Sequence, residues 1–265
     1  MGRIDRAFAA GAKKPAFIGF TVAGDPDKAT CIRIARALIA GGTDILELGV
    51  PFSDPVADGP TIQKADERAL AAGTTPDTVF EIVREIRKES EVPIVFLTYY
   101  NIVHRRGIGR FYREAHDAGV DGVLIADMPV EESKEVCAVA AQYNIDPIFL
   151  ITQTTSDERI KKIAAKARGY LYLVAVLGVT GVRDLVSEGA IDLLHRVRRH
   201  TNLPLALGFG ISMPAHAETC ARAGADGVIV GSAIVDIIER NLSDPDTIDK
   251  ELQKYVQIMK QGWMG

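Results

Sequence analysis

The chain has 265 residues, of which 47% are hydrophobic, and a formal net charge of −4. That length suits one α/β barrel or two smaller domains, and the interspersed charges exclude the basic surface that holds nucleic acid. Met1 to Arg6 lacks the apolar core of a signal peptide and no apolar run has membrane-spanning length, so we expect a cytoplasmic protein with no membrane partner. Cys31, Cys137 and Cys220 are far apart, which indicates reduced, buried thiols.

Short apolar runs rich in β-branched residues alternate with amphipathic helical patterns along the chain. The runs predict eight strands: Ala16–Val22, Asp44–Val50, Pro93–Tyr99, Asp121–Asp127, Asp146–Thr152, Gly169–Val176, Leu203–Gly208 and Asp226–Gly231. The helical patterns between them include Lys28–Ala40, Pro76–Lys88, Glu131–Gln142, Asp157–Ala167 and Ile191–His200. This alternation predicts a parallel sheet, and eight strands fit a single (β/α)8 TIM barrel over residues 1–265. We also expect an extra N-terminal helix and a short helix before the eighth barrel helix.

Three segments enter alternate strands with the same pattern of glycine, spacer and aspartate: GGTDILELG, AGVDGVLIAD and AGADGVIVG. In a TIM barrel, alternate strands contribute the side chains of one interior layer. Counting along these strands predicts a layer made of Glu47, Leu124, Tyr172 and Ile229. An acid and a phenol beside two aliphatic groups suit the wall of a pocket for a flat, apolar substrate.

The segment LELGVPFSDPVADG, residues 46–59, places Glu47 inside an apolar strand and Asp54 and Asp58 in the loop that follows. Burial would favour the protonated form of Glu47 and raise its pKa towards neutrality, so that it could both give and take protons. The loop aspartates would stay ionised beside water or backbone donors. The structural alternative is a glutamate that reaches solvent or pairs with a lysine, and aspartates that cap turns.

Glycine loops after the last strands predict a phosphate site. Gly208-Phe209-Gly210-Ile211-Ser212 follows strand 7, and Gly231-Ser232 follows strand 8 and opens a helical pattern. Barrels often bind phosphate there through backbone N–H groups and a helix N-terminus, although tight packing of turns also selects glycine. Gly178-Val179-Thr180-Gly181 after strand 6 adds another glycine pair, which suits a phosphate contact, a hinged lid or a simple flexible loop.

Together these motifs resemble the tryptophan synthase alpha subunit family, over nearly the whole chain. The resemblance rests on LELGVPFSDPVADGP from Leu46, GVTG from Gly178, GFGIS from Gly208 and GSAIV from Gly231, with GDP from Gly24 and ADMPVEES from Ala126. It implies a lyase of tryptophan biosynthesis that cleaves indole-3-glycerol phosphate to indole and glyceraldehyde 3-phosphate. It also implies no cofactor in this chain. The expected partner is the tryptophan synthase beta subunit, which would hold pyridoxal phosphate in an α2β2 heterotetramer.

The resemblance also implies roles for individual residues. Glu47 would be the general acid and base, and Asp58 would stabilise the indole N–H. Substrate-binding positions would be Phe20, Leu97, Leu124, Tyr172 and Ile229 around the indole, Gly181, Phe209, Gly210, Gly231 and Ser232 around the phosphate, and Thr180 in the lid. Apart from the resemblance, Tyr99 is a substrate-binding candidate because it follows strand 3 at the catalytic face. The sequence departs from the family at Ala175-Val176, where a Ser-Arg pair is usual, so lid closure and coupling to the partner could differ.

Two other hypotheses belong to different classes. Another phosphate-sugar isomerase or aldolase would share the glycine loops, but a Schiff-base aldolase needs a lysine at a strand end, and no predicted strand contains lysine. A non-catalytic subunit that only activates or sequesters a partner is argued against by Glu47 and Asp58. No metal site is expected, because the histidines lack metal-ligand spacing: His104, His116, His195, His200 and His216.

Overall fold

Eight parallel strands form a closed barrel in which each strand pairs with its neighbours in sequence, and the first pairs with the last. This computed structural model describes residues 1–10, 15–174, 188–208 and 210–261. The strands are β1 Ala16–Val22, β2 Ile45–Gly49, β3 Ile94–Thr98, β4 Gly122–Ile125, β5 Asp146–Thr152, β6 Leu171–Val174, β7 Leu205–Gly208 and β8 Gly227–Val230. The predicted TIM barrel is confirmed.

Helices surround the barrel, as the alternating pattern predicts. In the described ranges they are α1 Arg3–Ala10, α2 Lys28–Gly41, α3 Pro60–Ala71, α4 Pro76–Arg87, α5 Tyr100–Arg106, α6 Ile108–Ala118, α7 Lys134–Gln142, α8 Asp157–Lys166, α9 Glu188–Arg198, α10 Pro214–Arg222, α11 Ser232–Arg240 and α12 Pro245–Gln261. The expected extra helix is α1, and the expected short helix before the last one is α11.

Two predicted helix starts are wrong by three residues. The helix predicted over Ile191–His200 is α9, which begins at Glu188. The helix predicted over Glu131–Gln142 begins only at Lys134, because the residues before it form a turn in which the Ser133 hydroxyl donates to the Val130 carbonyl at 2.7 Å. Serine commonly closes such turns by bonding to nearby backbone, so the acidic residues before it do not extend the helix.

Local signals fix the ends of α2 and the start of α4. Asp27 caps α2 by accepting a hydrogen bond from the Thr30 N–H, and Gly42 ends that helix with φ at 105°. Thr75 and Thr78 form a reciprocal capping box at the start of α4. These caps satisfy free backbone groups at the helix ends, so each connecting loop begins at a defined residue.

The barrel interior is mostly apolar and is closed at its amino end by α1. Leu124, Tyr172 and Ile229 pack in one buried cluster, which also contains Ile4 from α1. Phe8 from the same helix contacts the Tyr170 ring, with centroids 5.7 Å apart. Since the amino end is filled, the open end of the barrel is the one where the strands finish, which is where TIM barrels carry their sites.

Nothing in the described helices is both long enough and apolar enough to cross a membrane. Among the same residues, no group of three or more histidine, cysteine, aspartate or glutamate side chains is placed to hold a metal ion.

Candidate active site

A cavity of about 330 Å³ opens at the carboxyl end of the strands. One end is walled by apolar and aromatic side chains, namely Phe20, Ile62, Leu97, Tyr172, Ile211 and Ile229. The other end is formed by Gly210, Ser212, Gly231, Ser232, Ala233 and Asp236, and the segment 57–59 contributes Asp58. The cavity therefore has an apolar part and a glycine-rich part, joined beside a carboxyl group.

Two glycines let the aromatic walls lie directly on the backbone. A Cβ atom at Gly49 would come within 2.9 Å of the Phe20 ring, and one at Gly208 within 2.6 Å of the Tyr172 hydroxyl. Carbon atoms do not approach so closely, so any larger residue at either position would push a ring into the cavity. The glycines that end β2 and β7 thus set the width of the apolar part.

Glu47 is fully buried in β2, with both carboxyl oxygens unpaired within the described part of the chain. Burial, with a smaller effect from the charge of Asp58, raises the pKa of Glu47 to about 8, although interaction with the Tyr170 hydroxyl opposes the increase. The alternative in which this glutamate reaches solvent or pairs with a lysine is therefore wrong. The carboxyl group lies behind the cavity wall, because Glu47 is not among the residues that line the cavity.

Asp58 is held by a tyrosine. The Tyr99 hydroxyl donates to Asp58 Oδ2 at 2.6 Å and accepts from the Ala57 N–H at 3.1 Å. The Phe52 ring stacks on Tyr99 with centroids 4.9 Å apart. Burial raises the pKa of Asp58, and the hydrogen bond from Tyr99 opposes that shift. We expected Tyr99 to contact substrate, but its hydroxyl binds Asp58 and supports it. We also expected water or backbone groups to donate hydrogen bonds to Asp58, and the donor is instead this phenol.

The glycine-rich end has the geometry of an anion site. Helix α11 begins at Ser232 directly after Gly231, so its first N–H groups have no partner within the helix. Gly210 has φ at 77°, a conformation that other residues rarely adopt. The neighbouring Ser212 is fixed on both sides, since its N–H donates to His216 Nδ1 at 3.3 Å and its carbonyl accepts from the Tyr255 hydroxyl at 2.9 Å.

The structure thus brings eight of the fourteen predicted site residues to the cavity wall: Phe20, Asp58, Leu97, Tyr172, Gly210, Ile229, Gly231 and Ser232. Glu47 and Leu124 are buried in the barrel interior beneath it, and Tyr99 lies behind the loop. Three others fall outside the described residues, as do Ala175 and Val176: Thr180, Gly181 and Phe209.

Sequence reasoning missed wall residues that come from helices. Ile62 on α3 and Asp236 on α11 both line the cavity. The available signal was helical spacing, because Asp236 lies four residues after Ser232 and therefore on the same face of α11. Asp66 on α3, which is 4% exposed, was also missed.

An apolar cavity wall, two carboxyl groups and a glycine-rich helix N-terminus suit proton transfer to and from an aromatic substrate that carries a phosphate. The fold and the position of the cavity at the carboxyl ends of the strands thus define the class of TIM-barrel enzymes.

A model of the tryptophan synthase alpha chain family matches residues 7–264, and the chain belongs to that family. It is 70% identical to the tryptophan synthase alpha chain of Methanoregula boonei over 261 residues, which cover 98% of each chain. It is 46% identical to that of Methanothermobacter thermautotrophicus, covering 92% of this chain and 91% of the relative. The resemblance inferred from the motifs is confirmed, and the chain is a carbon–carbon lyase that cleaves indole-3-glycerol phosphate.

Comparison with solved structures supports the same family assignment. A chain from the tryptophan synthase α2β2 complex of Pyrococcus furiosus superposes with a TM-score of 0.88 at 40% identity, covering 93% of this chain and 98% of that one. Tryptophan synthase subunit alpha from Legionella pneumophila superposes with a TM-score of 0.90 at 34% identity, covering 100% and 99%.

Proposed function

We propose that residues 1–265 act as one catalytic domain in which Glu47 is the general acid and base and Asp58 stabilises the indole N–H. The observation that carries this proposal is a fully buried carboxyl group, whose pKa is raised to about 8, behind a cavity that also contains Asp58. Single-turnover release of indole from indole-3-glycerol phosphate by the purified chain tests it. No release, alone or with a cognate beta subunit, would exclude it.

At neutral pH a group with a pKa of about 8 is mostly protonated, so Glu47 begins as the acid. It gives its proton to indole C3, and the ring nitrogen takes up the positive charge. The bond from C3 to the glycerol chain then breaks, and its electron pair restores the aromatic ring. The hydroxyl carbon beside that bond becomes the aldehyde of glyceraldehyde 3-phosphate, and Glu47 takes the hydroxyl proton, which returns it to its starting state.

Asp58 would act through its negative charge. It would accept a hydrogen bond from the indole N–H while positive charge develops on the nitrogen. This role requires the ionised form, which the donated hydrogen bond from Tyr99 favours. Glu47 would have to turn towards the cavity, since its carboxyl group now lies behind a wall that includes Phe20 and Tyr172.

We assign the phosphate to the N-terminus of α11, and a charge change at Ser232 tests that assignment. Ser232 is exposed and begins the helix, so Ser232→Asp should fold normally and place a carboxylate in the anion site. We expect this variant to bind glycerol phosphate at least tenfold more weakly, while indole binding changes less than twofold. Calorimetric titration with each ligand measures both effects.

The matched control is Ser232→Asn, which has the same shape as the aspartate without its charge. It should bind glycerol phosphate within about threefold of wild type. The glycines are poorer test sites, because Gly210 has positive φ and a Cβ at Gly231 would meet the Phe20 ring at 3.1 Å. Equal losses in the Asp and Asn variants would place the phosphate elsewhere.

We further propose that a pyridoxal-phosphate beta subunit binds this chain in an α2β2 assembly and accelerates cleavage by ordering the loop that carries Asp58. The P. furiosus structure that this chain resembles is described as an α2β2 complex. In this chain the same loop exposes Val56 by 85%, beside Leu70 at 38% exposure on α3. The described cavity wall contains no lysine to form a Schiff base, so pyridoxal phosphate is assigned to the partner.

Adding purified cognate beta subunit should raise the rate of indole-3-glycerol phosphate cleavage at least tenfold. The reason is that binding selects the conformation in which Asp58 is in place, and the gain is limited by the partner's preference for that conformation. Val56→Ser should weaken the complex, whereas Leu242→Ser, at an exposed apolar residue after α11, should not. A complex that leaves the rate unchanged would contradict the coupling and leave the lyase activity standing.

The state of the thiols supports a cytoplasmic location, which we also propose. Cys31 and Cys220 are fully buried and unpaired, and burial raises the pKa of each thiol to about 12. Such thiols are poor nucleophiles and form no disulfide, which suits a reducing compartment.

A further inference from the structure

Asp66 is a buried acid for which the proposed mechanism has no use. It lies in the middle of α3 with 4% of its surface exposed, and its Oδ2 atom has no hydrogen-bond partner in the described part of the chain. The nearby charges are mostly negative: Asp25, Asp58 and Glu67. A carboxylate in such a place is costly, because it loses hydration and gains no cation.

Lys64 and Arg68 are the bases nearest to Asp66 along the chain, and each is already bound to another acid. Lys64 donates to Glu239 at 3.0 Å, and Arg68 binds Asp25. The Arg68 guanidinium donates to both carboxyl oxygens of Asp25, at 2.7 and 2.8 Å, and the Asp25 side chain is completely buried. This pair joins the loop after β1 to α3. It leaves Asp66 to be stabilised by polar groups alone.

Asp66 lies directly beneath the loop that carries Asp58. The Phe52 backbone N–H interacts with the Asp66 carboxyl group, and the Phe52 ring stacks on Tyr99. Tyr99 in turn donates to Asp58 Oδ2 at 2.6 Å. The charge of Asp66 is felt at the Tyr99 hydroxyl as well. One short series of contacts therefore connects this acid to the side chain proposed to bind the indole N–H.

We propose that Asp66 is a positioning residue that acts in its neutral, protonated form, holding the loop of residues 50–59 so that Asp58 faces the cavity, and that its ionisation displaces this loop. The proposal rests on the role proposed for Asp58. Burial, and next the charge of Asp58, raise the pKa of Asp66 to about 8, so the acid is neutral over the range in which the enzyme would work. Deprotonation would place a second negative charge next to Asp58, with Asp25, Glu67 and the Tyr99 hydroxyl as its other neighbours.

The protonation state can be tested without any activity measurement. In the unfolded chain Asp66 ionises near its ordinary pKa of 3.8, whereas in the folded chain it stays protonated to about pH 8. Its contribution to stability is therefore fully present below pH 3.8 and is lost as the pH rises to about 8. The Asp66→Asn variant has no carboxyl group at this position, so it does not lose this stability as the pH rises. The difference between the urea midpoints of Asp66→Asn and wild type should thus grow from pH 5 to pH 8 and then level off.

Glu135→Gln, which removes an exposed carboxyl group on α7, is the matched control and should give a small difference that does not change with pH. The difference in urea midpoint between Asp66→Asn and wild type could instead be constant from pH 5 to pH 8. That result would show that Asp66 is ionised in the folded chain, and it would overturn the proposal. Glu47 titrates in wild type and variant alike, so its contribution cancels.

Cleavage kinetics test the positioning role. Asp66→Asn keeps a neutral polar group and should retain at least a third of wild-type kcat, whereas Asp66→Leu should lose at least tenfold in kcat. Because Asp66 itself does not line the cavity, affinity for glycerol phosphate should change less than twofold in both. The proposal would be overturned if Asp66→Asn were as slow as Asp66→Leu and circular dichroism showed that both variants are folded.

The same experiments separate this proposal from the one on which it rests. If Asp58→Asn were fully active, the role of Asp58 would fail, and the urea profiles would still decide whether Asp66 is neutral. If Asp58→Asn were inactive and Asp66→Leu were fully active, Asp58 would keep its role and Asp66 would have none.

Discussion

Replacing Glu47 with glutamine should lower the single-turnover rate of indole release roughly 10² to 10⁴-fold, the usual contribution of general acid–base catalysis. The change removes the proton and keeps the shape of a side chain that is completely buried. Affinity for indole-3-glycerol phosphate should change less than threefold, because the cavity wall does not include Glu47. A variant that retains more than about a tenth of the wild-type rate would exclude the acid–base role.

Stability and pH provide the controls for that experiment. Since burial raises the pKa of Glu47 from 4.5 to about 8, its contribution to stability is present below pH 4.5 and is lost as the pH rises to about 8. The glutamine variant avoids this loss and should unfold at higher urea than wild type at pH 8, so unfolding cannot explain its inactivity. In wild type, kcat/KM should fall above about pH 8, where the acid is no longer protonated.

The barrel and its buried acid were predictable from sequence because both depend on short-range patterns. Alternating apolar strands and amphipathic helices specify βα units, and the boundaries of β1 and β5 were predicted to the residue. Glu47 has an apolar residue on each side within a strand that a parallel barrel buries on both faces, so its lost hydration follows from the fold itself. The glycine loops could be placed at the cavity because they follow the last two strands, and Gly210 and Gly231 do line it.

The support around Asp58 was not predictable, because it depends on the direction of side chains that are far apart in sequence. Tyr99 follows β3 and was expected to contact substrate, yet its hydroxyl turns to Asp58, 41 residues earlier. Asp66 looks like one of several charged residues in the exposed pattern of α3, and only the packing of the helix under the loop shows that it is buried. Helical spacing indicates which residues share a face, but not which face meets the cavity.

Replacing Asp58 with asparagine should lower kcat roughly 10² to 10³-fold, similar to the loss of one charge-stabilising group elsewhere. Asparagine can still accept the indole N–H, so the loss measures the charge rather than the hydrogen bond. The matched control is Asp54→Asn in the isolated chain, four residues earlier on the same loop and exposed, which should keep the wild-type rate within twofold. Full activity of Asp58→Asn would reject the assignment.

The Tyr99→Phe variant tests whether activity depends on the negative charge of Asp58 or only on the presence of its side chain. The hydrogen bond that Tyr99 donates lowers the pKa of Asp58, so the phenylalanine variant should raise that pKa. Since the role proposed for Asp58 requires its ionised form, activity on acidification should be lost at a higher pH in Tyr99→Phe than in wild type, with little change at pH 8. Asp58→Asn should show no such acid limb. An acid limb that stays in the same place in all three proteins would belong to another group, and the charge at the indole nitrogen would then have to come from elsewhere in the cavity.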